Sequence, residues 1–250
     1  MSQWLLTVTY DGTRFHGWQV QPNGITVQQT IQDALQQLLG SRPPLTGCSR
    51  TDTGVHARRF YCTTPTTDRF DTATLKKALN AVLPSDIAVR EVETVSDAFH
   101  PRYSAQGKRY VYQILNSDVP DPFLQRYALQ VRTPINEQAL QPIADLFIGT
   151  HDFSAFCSAG SSVEDKVRTI RRSELSRQGS LVTYTVEADG FLYNMVRILV
   201  GTLLDVQNGR LTADDVCKAL TTGDRRFAGV TAPPTGLFLD EVWYETSKTK

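Results

Sequence analysis

Across 250 residues, 26 Lys+Arg balance 26 Asp+Glu to a formal net charge of +0, so whole-chain charge argues neither for nor against a polyanionic partner. With 40% hydrophobic, 9% aromatic and 21% charged residues, the composition excludes a disordered or fibrous chain and leaves apolar mass for a sizeable core. The longest apolar run, Phe191 to Val206, is broken by Asn194, Arg197 and Asp205 and is too short for a membrane span, so no membrane partner is expected. The opening Met1-Ser2-Gln3-Trp4 carries no basic n-region or cleavage site. Cys48, Cys62, Cys157 and Cys217 form no C-x-x-C pair, so neither a zinc ribbon nor a disulfide framework is indicated and a cytoplasmic location is expected.

In chain order, Leu5 to Tyr10 alternates and is rich in β-branched residues, predicting a strand that ends at Asp11-Gly12. Thr26 is positioned to cap a helix carrying Val27, Ile31, Leu35 and Leu38 on one face, with Gly40 as its stop. Gly47 to Ala57 fits neither period and reads as a loop, followed by a short strand at Phe60 to Thr63. A helix at Leu75 to Leu83 closes on Pro84, and Ile87 to Val95 alternates as a strand. The second half runs strand Tyr110 to Leu115, helix Asn136 to Ile148, strands Val167 to Leu175 and Leu181 to Ala188, then a long helix Phe191 to Val206. Pro142 would remove a hydrogen bond within the first of those helices. A short helix capped at Thr212 and a last strand Leu237 to Tyr244 complete the chain. Strands joined by both hairpins and crossovers predict an α+β protein of two βαββαβ-like halves, residues 1–104 and 105–250, with mainly antiparallel sheets forming a central cleft.

The chemistry points to Gly47-Cys48-Ser49-Arg50-Thr51-Asp52-Thr53-Gly54-Val55-His56-Ala57. Glycines permit the tight turns that present a side chain, and Arg50 within reach of Asp52 would favour the ionised carboxylate, a base or a nucleophile. The competing role for Asp52 is an Asx turn that satisfies loop amides. Asp52 and His56 alone do not make a metal site, and no metal is expected.

Tyr110 and Tyr112 share one face of a strand, either a stacking surface for an unpaired base or an ordinary core face. Arg197 lies on a helix that is apolar nearly all round, on a narrow stripe with Asn194, Gly201 and Asp205 that would line a cleft. There it needs a carboxylate or phosphate partner, Asp205 being one option. Basic residues gather near the Asp52 loop (Arg50, Arg58, Arg59), at Arg102, Lys108 and Arg109, and at Lys166, Arg168, Arg171 and Arg172. Arg50 and Arg58 are the best candidates for contact with an anionic partner, such as a phosphate backbone, because they share the loop with Asp52; the last group reads equally as a solvated sheet face.

The Asp52 stretch closely resembles the G-x-x-R-T-D-x-G-V-H-A motif of the bacterial tRNA pseudouridine synthase A family. Tyr10-Asp11-Gly12-Thr13-Arg14-Phe15-His16-Gly17-Trp18-Gln19 looks like that family's Y-D-G-x-x-F-x-G-W-Q segment. Phe99-His100-Pro101-Arg102-Tyr103-Ser104-Ala105 with Lys108-Arg109-Tyr110-Val111-Tyr112, and Phe191-Leu192-Tyr193-Asn194-Met195-Val196-Arg197, are similar to two further segments. The departure is Ser49, where many relatives have glycine.

The resemblance implies the pseudouridine synthase fold and a cofactor-free, metal-free isomerase that converts uridine to pseudouridine at positions 38, 39 and 40 of the tRNA anticodon stem-loop. It implies Asp52 as the catalytic carboxylate, by attack on C1′, addition to C6 or removal of the C2′ proton. It further implies that Tyr110 contacts the base, that Arg197 orients Asp52, and that a homodimer holds the tRNA across both subunits. Two rivals are a non-catalytic RNA-binding module, which the intact Asp52 disfavours, and a metal hydrolase using Asp52 and His56, for which further ligands are missing.

Overall fold

The computed structural model describes residues 2–245; Met1 and residues 246–250, counted above in the two halves, lie outside the described residues. The elements run β1 (Ser2–Tyr10), α1 (Val27–Leu39), β2 (Thr46–Gly47), β3 (His56–Pro65), α2 (Thr72–Val82) and β4 (Ile87–Ser96). Then come β5 (Ala105–Asn116), β6 (Leu129–Val131), α3 (Glu137–Asp145), β7 (Gly149–Asp152), β8 (Val167–Gln178) and β9 (Leu181–Ala188). The last are α4 (Met195–Gln207), α5 (Ala213–Thr222) and β10 (Leu237–Tyr244). The chain divides into two units, one of residues up to Gln106 and from Phe238 on, the other Gly107–Leu237. The fold class is α+β, with antiparallel pairing dominant in each unit.

In the first unit β1 is flanked by β3 and β4, antiparallel to both, and buries Leu5, Leu6 and Val8 completely. β10, counted with the second half on sequence grounds, pairs in parallel with β3 through Phe238 opposite His56 and Leu239 opposite Ala57. α1 forms as its sequence predicts. The Thr26 side chain accepts from the Gln29 N–H, Gly40 takes the left-handed stop at φ 80°, and Val27, Ile31, Ala34 and Leu35 are buried. Each large side chain buried there contributes about 1.5–3 kcal/mol.

One irregularity shapes the surface near the loop of interest. Between Val8 opposite Phe60 and Tyr10 opposite Ala57 the register slips, so Arg58 and Arg59 together face Thr9. Strict alternation would send one of the two arginines inward; the bulge leaves both exposed. β8 repeats the device between Ile170 and Arg172, leaving Arg171 and Arg172 both exposed.

In the second unit β5, β9, β8 and β7 follow one another antiparallel, and β6 adds to β5 in parallel. β6 and β7 are absent from the sequence reading, because strands this short carry too little alternation to stand out. Asn136 caps α3, which accommodates Pro142 but ends at Asp145 rather than Ile148. α4 begins at Met195, four residues after Phe191, because Asn194 adopts the left-handed conformation (φ 59°) at its start. Nine residues of α4 are buried, as its apolar circumference predicts.

Candidate functional site

Asp52 sits in the segment between β2 and β3, held by the first motif of the chain rather than by its own neighbours alone. Tyr10 and Thr51 share a buried hydroxyl–hydroxyl hydrogen bond of 2.8 Å. The Trp18 N–H donates to the Thr51 carbonyl at 3.1 Å, and the Gly54 N–H to the Phe15 carbonyl at 3.2 Å. Backbone meets backbone at two glycines. A Cβ on Gly12 would lie 1.9 Å from the Val55 carbonyl oxygen, and one on Gly17 2.4 Å from that of Thr51. Only glycine permits such approach, and Gly17 at φ 78° needs it twice over. Gly54, also at φ 78°, turns the chain just after Asp52, and the Val55 N–H closes that turn on the Asp52 carbonyl at 3.1 Å.

Side chains complete the anchoring. Trp18 stacks on Phe60 with centroids 4.0 Å apart, and Gly47 lies so close beneath that indole that a Cβ would be 2.6 Å from it. Cys48, fully buried, donates its N–H to the Tyr61 carbonyl at 2.8 Å. These contacts fix both ends of the loop, and Asp52 between them is half-buried. The backbone that carries Asp52 is thereby held in a single conformation.

His56 is used within the same framework. Its imidazole is 1% exposed, its Nδ1 accepts from the Gly12 N–H at 3.0 Å, and it stacks on Phe238 with centroids 4.7 Å apart. Among the described residues no group of three or more His, Cys, Asp or Glu side chains is arranged to hold a metal ion.

Of the basic candidates in this unit, Arg50 is exposed. Arg58 donates to Asp240 Oδ1 at 2.9 Å and lies 4.7 Å over the Phe238 ring, while Arg59 bonds Glu241. The bulge that exposes both arginines thus places them beside acids of β10.

In the second unit Tyr110 is 6% exposed and meets Phe191 edge-on at 4.9 Å. Tyr112 is fully buried and donates its hydroxyl to the Pro233 carbonyl at 2.8 Å; burial raises its pKa well above the ordinary tyrosine value, opposed by nearby Arg197. Arg197 is half-buried and clamped: Nε donates to the Ala232 carbonyl at 2.6 Å and Nη1 to Asn194 Oδ1 at 2.7 Å. Asn194 in turn donates to Ser158 Oγ at 2.9 Å. Asp205, the acid considered for Arg197 within α4, holds Arg210 and accepts from the Val230 N–H at 3.0 Å.

The polar and small stripe of α4 does not line an open cleft over its C-terminal part. It docks the segment Gly229–Ala232: a Cβ on Gly201 would meet the Val230 carbonyl oxygen at 1.7 Å, and the Gly229 N–H donates to Thr202 Oγ1 at 2.8 Å. The stripe is small because a backbone lies against it, a reason that helical spacing cannot distinguish from a ligand site. Of the basic group at β8, Arg171 and Arg172 are exposed and Arg172 pairs with Glu174 and Glu187, while Arg109 of β5 bonds Glu187 at 2.7 Å.

Sequence reasoning overlooked Gly12 and Gly17 as site-building residues and read Asn194 only as part of the α4 stripe. The two glycines lie inside a quoted motif but their partners, Val55 and Thr51, are 43 and 34 residues away, and a left-handed asparagine has no local signature beyond its residue type.

The α+β chain thus carries Asp52 on a docked loop of its first unit and, within its second, a clamped arginine and buried tyrosines. The sequence model described as tRNA pseudouridine synthase matches residues 6–104 and 143–245. The chain belongs to this family, isomerases that convert uridine to pseudouridine in tRNA. It is 44% identical over 240 residues to tRNA pseudouridine synthase A of Thermoanaerobacter sp. (strain X514), covering 96% of this chain and 98% of that protein. The corresponding protein of Acetivibrio thermocellus is 45% identical over 96% of this chain and 98% of its own length, and that of Halalkalibacterium halodurans 46% over 93% and 89%. Among solved structures, the archaeal box H/ACA sRNP Nop10-Cbf5 complex is similar at 13% identity and a TM-score of 0.37, covering 80% of this chain and 42% of that chain.

Proposed function

We propose that this enzyme modifies uridines 38, 39 and 40 in the anticodon stem-loop of tRNA, with Asp52 as its catalytic carboxylate. The reaction breaks the N1–C1′ bond, rotates the uracil, forms C5–C1′, releases the C5 proton and leaves N1 protonated. Substrate and product are isomers, so neither a redox partner nor a consumed water enters the balance. The observation that carries the reading is the Asp52 loop, whose backbone is pinned at Thr51, Gly54 and Val55 by the Tyr10–Trp18 segment. A carboxylate held there acts on the sugar or base without first paying the entropy of ordering itself.

In this reading Tyr110 contacts the detached uracil, Arg197 orients the reacting groups through the fork that Asn194 and Ala232 hold, and Arg50 and Arg58 meet backbone phosphates. Arg58 exchanges or shares Asp240 when it does so. The enzyme is a homodimer that works in the cytoplasm, where unmodified tRNA is available. Purified protein with an unmodified tRNA transcript, chelator and no added cofactor, mapped by carbodiimide labelling and reverse transcription, tests the site assignment. Stops at 38 to 40 are expected; pseudouridine elsewhere, or none, overturns it.

A further inference from the structure

Tyr103 is 76% exposed although its surroundings are rigid. The chain from Phe99 to Ser104 is pinned at both ends. Phe99 is held by Gln3 Nε2, which donates to its carbonyl at 2.5 Å, and by an edge contact with Tyr244 at 5.0 Å. The Tyr244 hydroxyl donates to the Pro101 carbonyl at 2.8 Å, and the Ser104 N–H closes on the His100 carbonyl at 2.9 Å.

Inside this turn the His100 imidazole is locked, its Nδ1 accepting from the N–H groups of Arg102 at 3.1 Å and Tyr103 at 3.2 Å. That ring backs the Tyr103 ring, with centroids 4.3 Å apart, and the exposed Arg102 carries its guanidinium 5.6 Å from the Tyr103 centroid. A flexible loop would fold such an aromatic down onto the protein; here the turn holds it out.

We propose that His100, Arg102 and Tyr103 form a stacking platform for an unpaired nucleotide of the RNA substrate, the base lying on Tyr103 and its phosphate on Arg102. A supported aromatic face beside a guanidinium is the arrangement that binds single-stranded bases irrespective of sequence. An apolar protein partner would find no aliphatic surface in this turn, and the Arg102 cation over the Tyr103 ring, 5.6 Å from its centroid, matches a phosphate. Asp97 is the one acid between β4 and Ser104. The inference rests on the tRNA reading above and adds a contact to it.

The test measures pseudouridine formation on an unmodified tRNA transcript for the wild type, Tyr103→Ala, Tyr103→Phe and Arg102→Ala, with Phe123→Ala as an exposed-aromatic control. Expected is a rise of about tenfold in KM for Tyr103→Ala, the equivalent of about 1.4 kcal/mol, with kcat changed far less. Tyr103→Phe restores KM, and Arg102→Ala raises KM and flattens its dependence on salt. An unchanged KM for Tyr103→Ala in an active enzyme overturns the platform and leaves the tRNA reading standing. The same KM rise in Phe123→Ala, or loss of self-association by Tyr103→Ala in sedimentation with KM unchanged, also overturns it. A wild type that neither binds nor modifies tRNA overturns both.

Discussion

Replacing Gly12 by alanine tests the docking of the two motifs at a single atom. The added Cβ would lie 1.9 Å from the Val55 carbonyl oxygen and 2.5 Å from its carbon, both backbone atoms that no rotamer change can move. Restoring an ordinary contact requires the segment after Asp52 to retreat by about 1.5 Å. Overpacking of this kind costs about 1–3 kcal/mol, and at about 2–4 °C per kcal/mol for a chain of this size Tm falls by about 2–12 °C. A displacement of about 1 Å in a catalytic group costs about a hundredfold in rate, so kcat falls by at least that much while the enzyme stays folded at 25 °C. The rate is read as tritium release from tRNA made with uridine labelled at C5, because forming C5–C1′ expels that hydrogen. Gly179→Ala in the β8–β9 turn, where nothing lies within 4 Å of an added Cβ, is the control and keeps its rate. A Gly12→Ala enzyme with wild-type kcat and unchanged Tm would refute the argument that this contact positions Asp52.

Two further outcomes follow from the second unit and from the buried tyrosines. Asn194→Gly suits the left-handed backbone but removes the side-chain acceptor of Arg197, so Tm moves by less than about 2 °C while kcat drops about tenfold; Asn194→Asp, which keeps an oxygen there, retains most activity. Equal activity of the glycine and wild-type enzymes would show that the Arg197 clamp is incidental. Burial raises the phenol of Tyr61 to about 12 and those of Tyr112, Tyr184 and Tyr244 higher, whereas an unfolded tyrosine titrates near 10. Above pH 10 the unfolded chain therefore binds fewer protons than the folded one, and stability falls with rising pH, each such group contributing a limiting slope of about 1.4 kcal/mol per pH unit. Absorbance of phenolate and circular dichroism followed together to pH 12 should show Tyr112, Tyr184 and Tyr244 ionising only with unfolding. Their complete titration near pH 10 in a folded protein would contradict it.

Local signals in the sequence were sufficient wherever one residue type answers one backbone demand. Thr26, Thr212 and Gly40 mark helix ends because they satisfy orphan donors or adopt positive φ, and α1, α5, β9 and β10 lie where such marks and alternation place them. What escaped is non-local. The bulge exposing Arg58 and Arg59 is set by pairing with β1, and the parallel pairing of β10 with β3 joins residues 182 positions apart, Phe238 with His56. The stripe on α4 illustrates the same limit. Gly201 and Asp205 repeat at helical spacing for a reason, but the reason is the carbonyl and amide of Val230, which nothing within the helix reveals. For the site, the Asp52 loop stood out by composition, while the two glycines that hold it became interpretable only beside Thr51 and Val55.

The central claim is that Asp52 performs the chemistry, and Asp52→Asn tests it most directly because it removes the charge while preserving shape. With enzyme in excess over tRNA, a single-turnover assay should give no pseudouridine above background, while filter binding returns a Kd within about threefold of wild type and Tm moves by less than about 2 °C. Pseudouridine formed at a rate within about tenfold of wild type would contradict the account, since a neutral amide cannot serve as nucleophile or base.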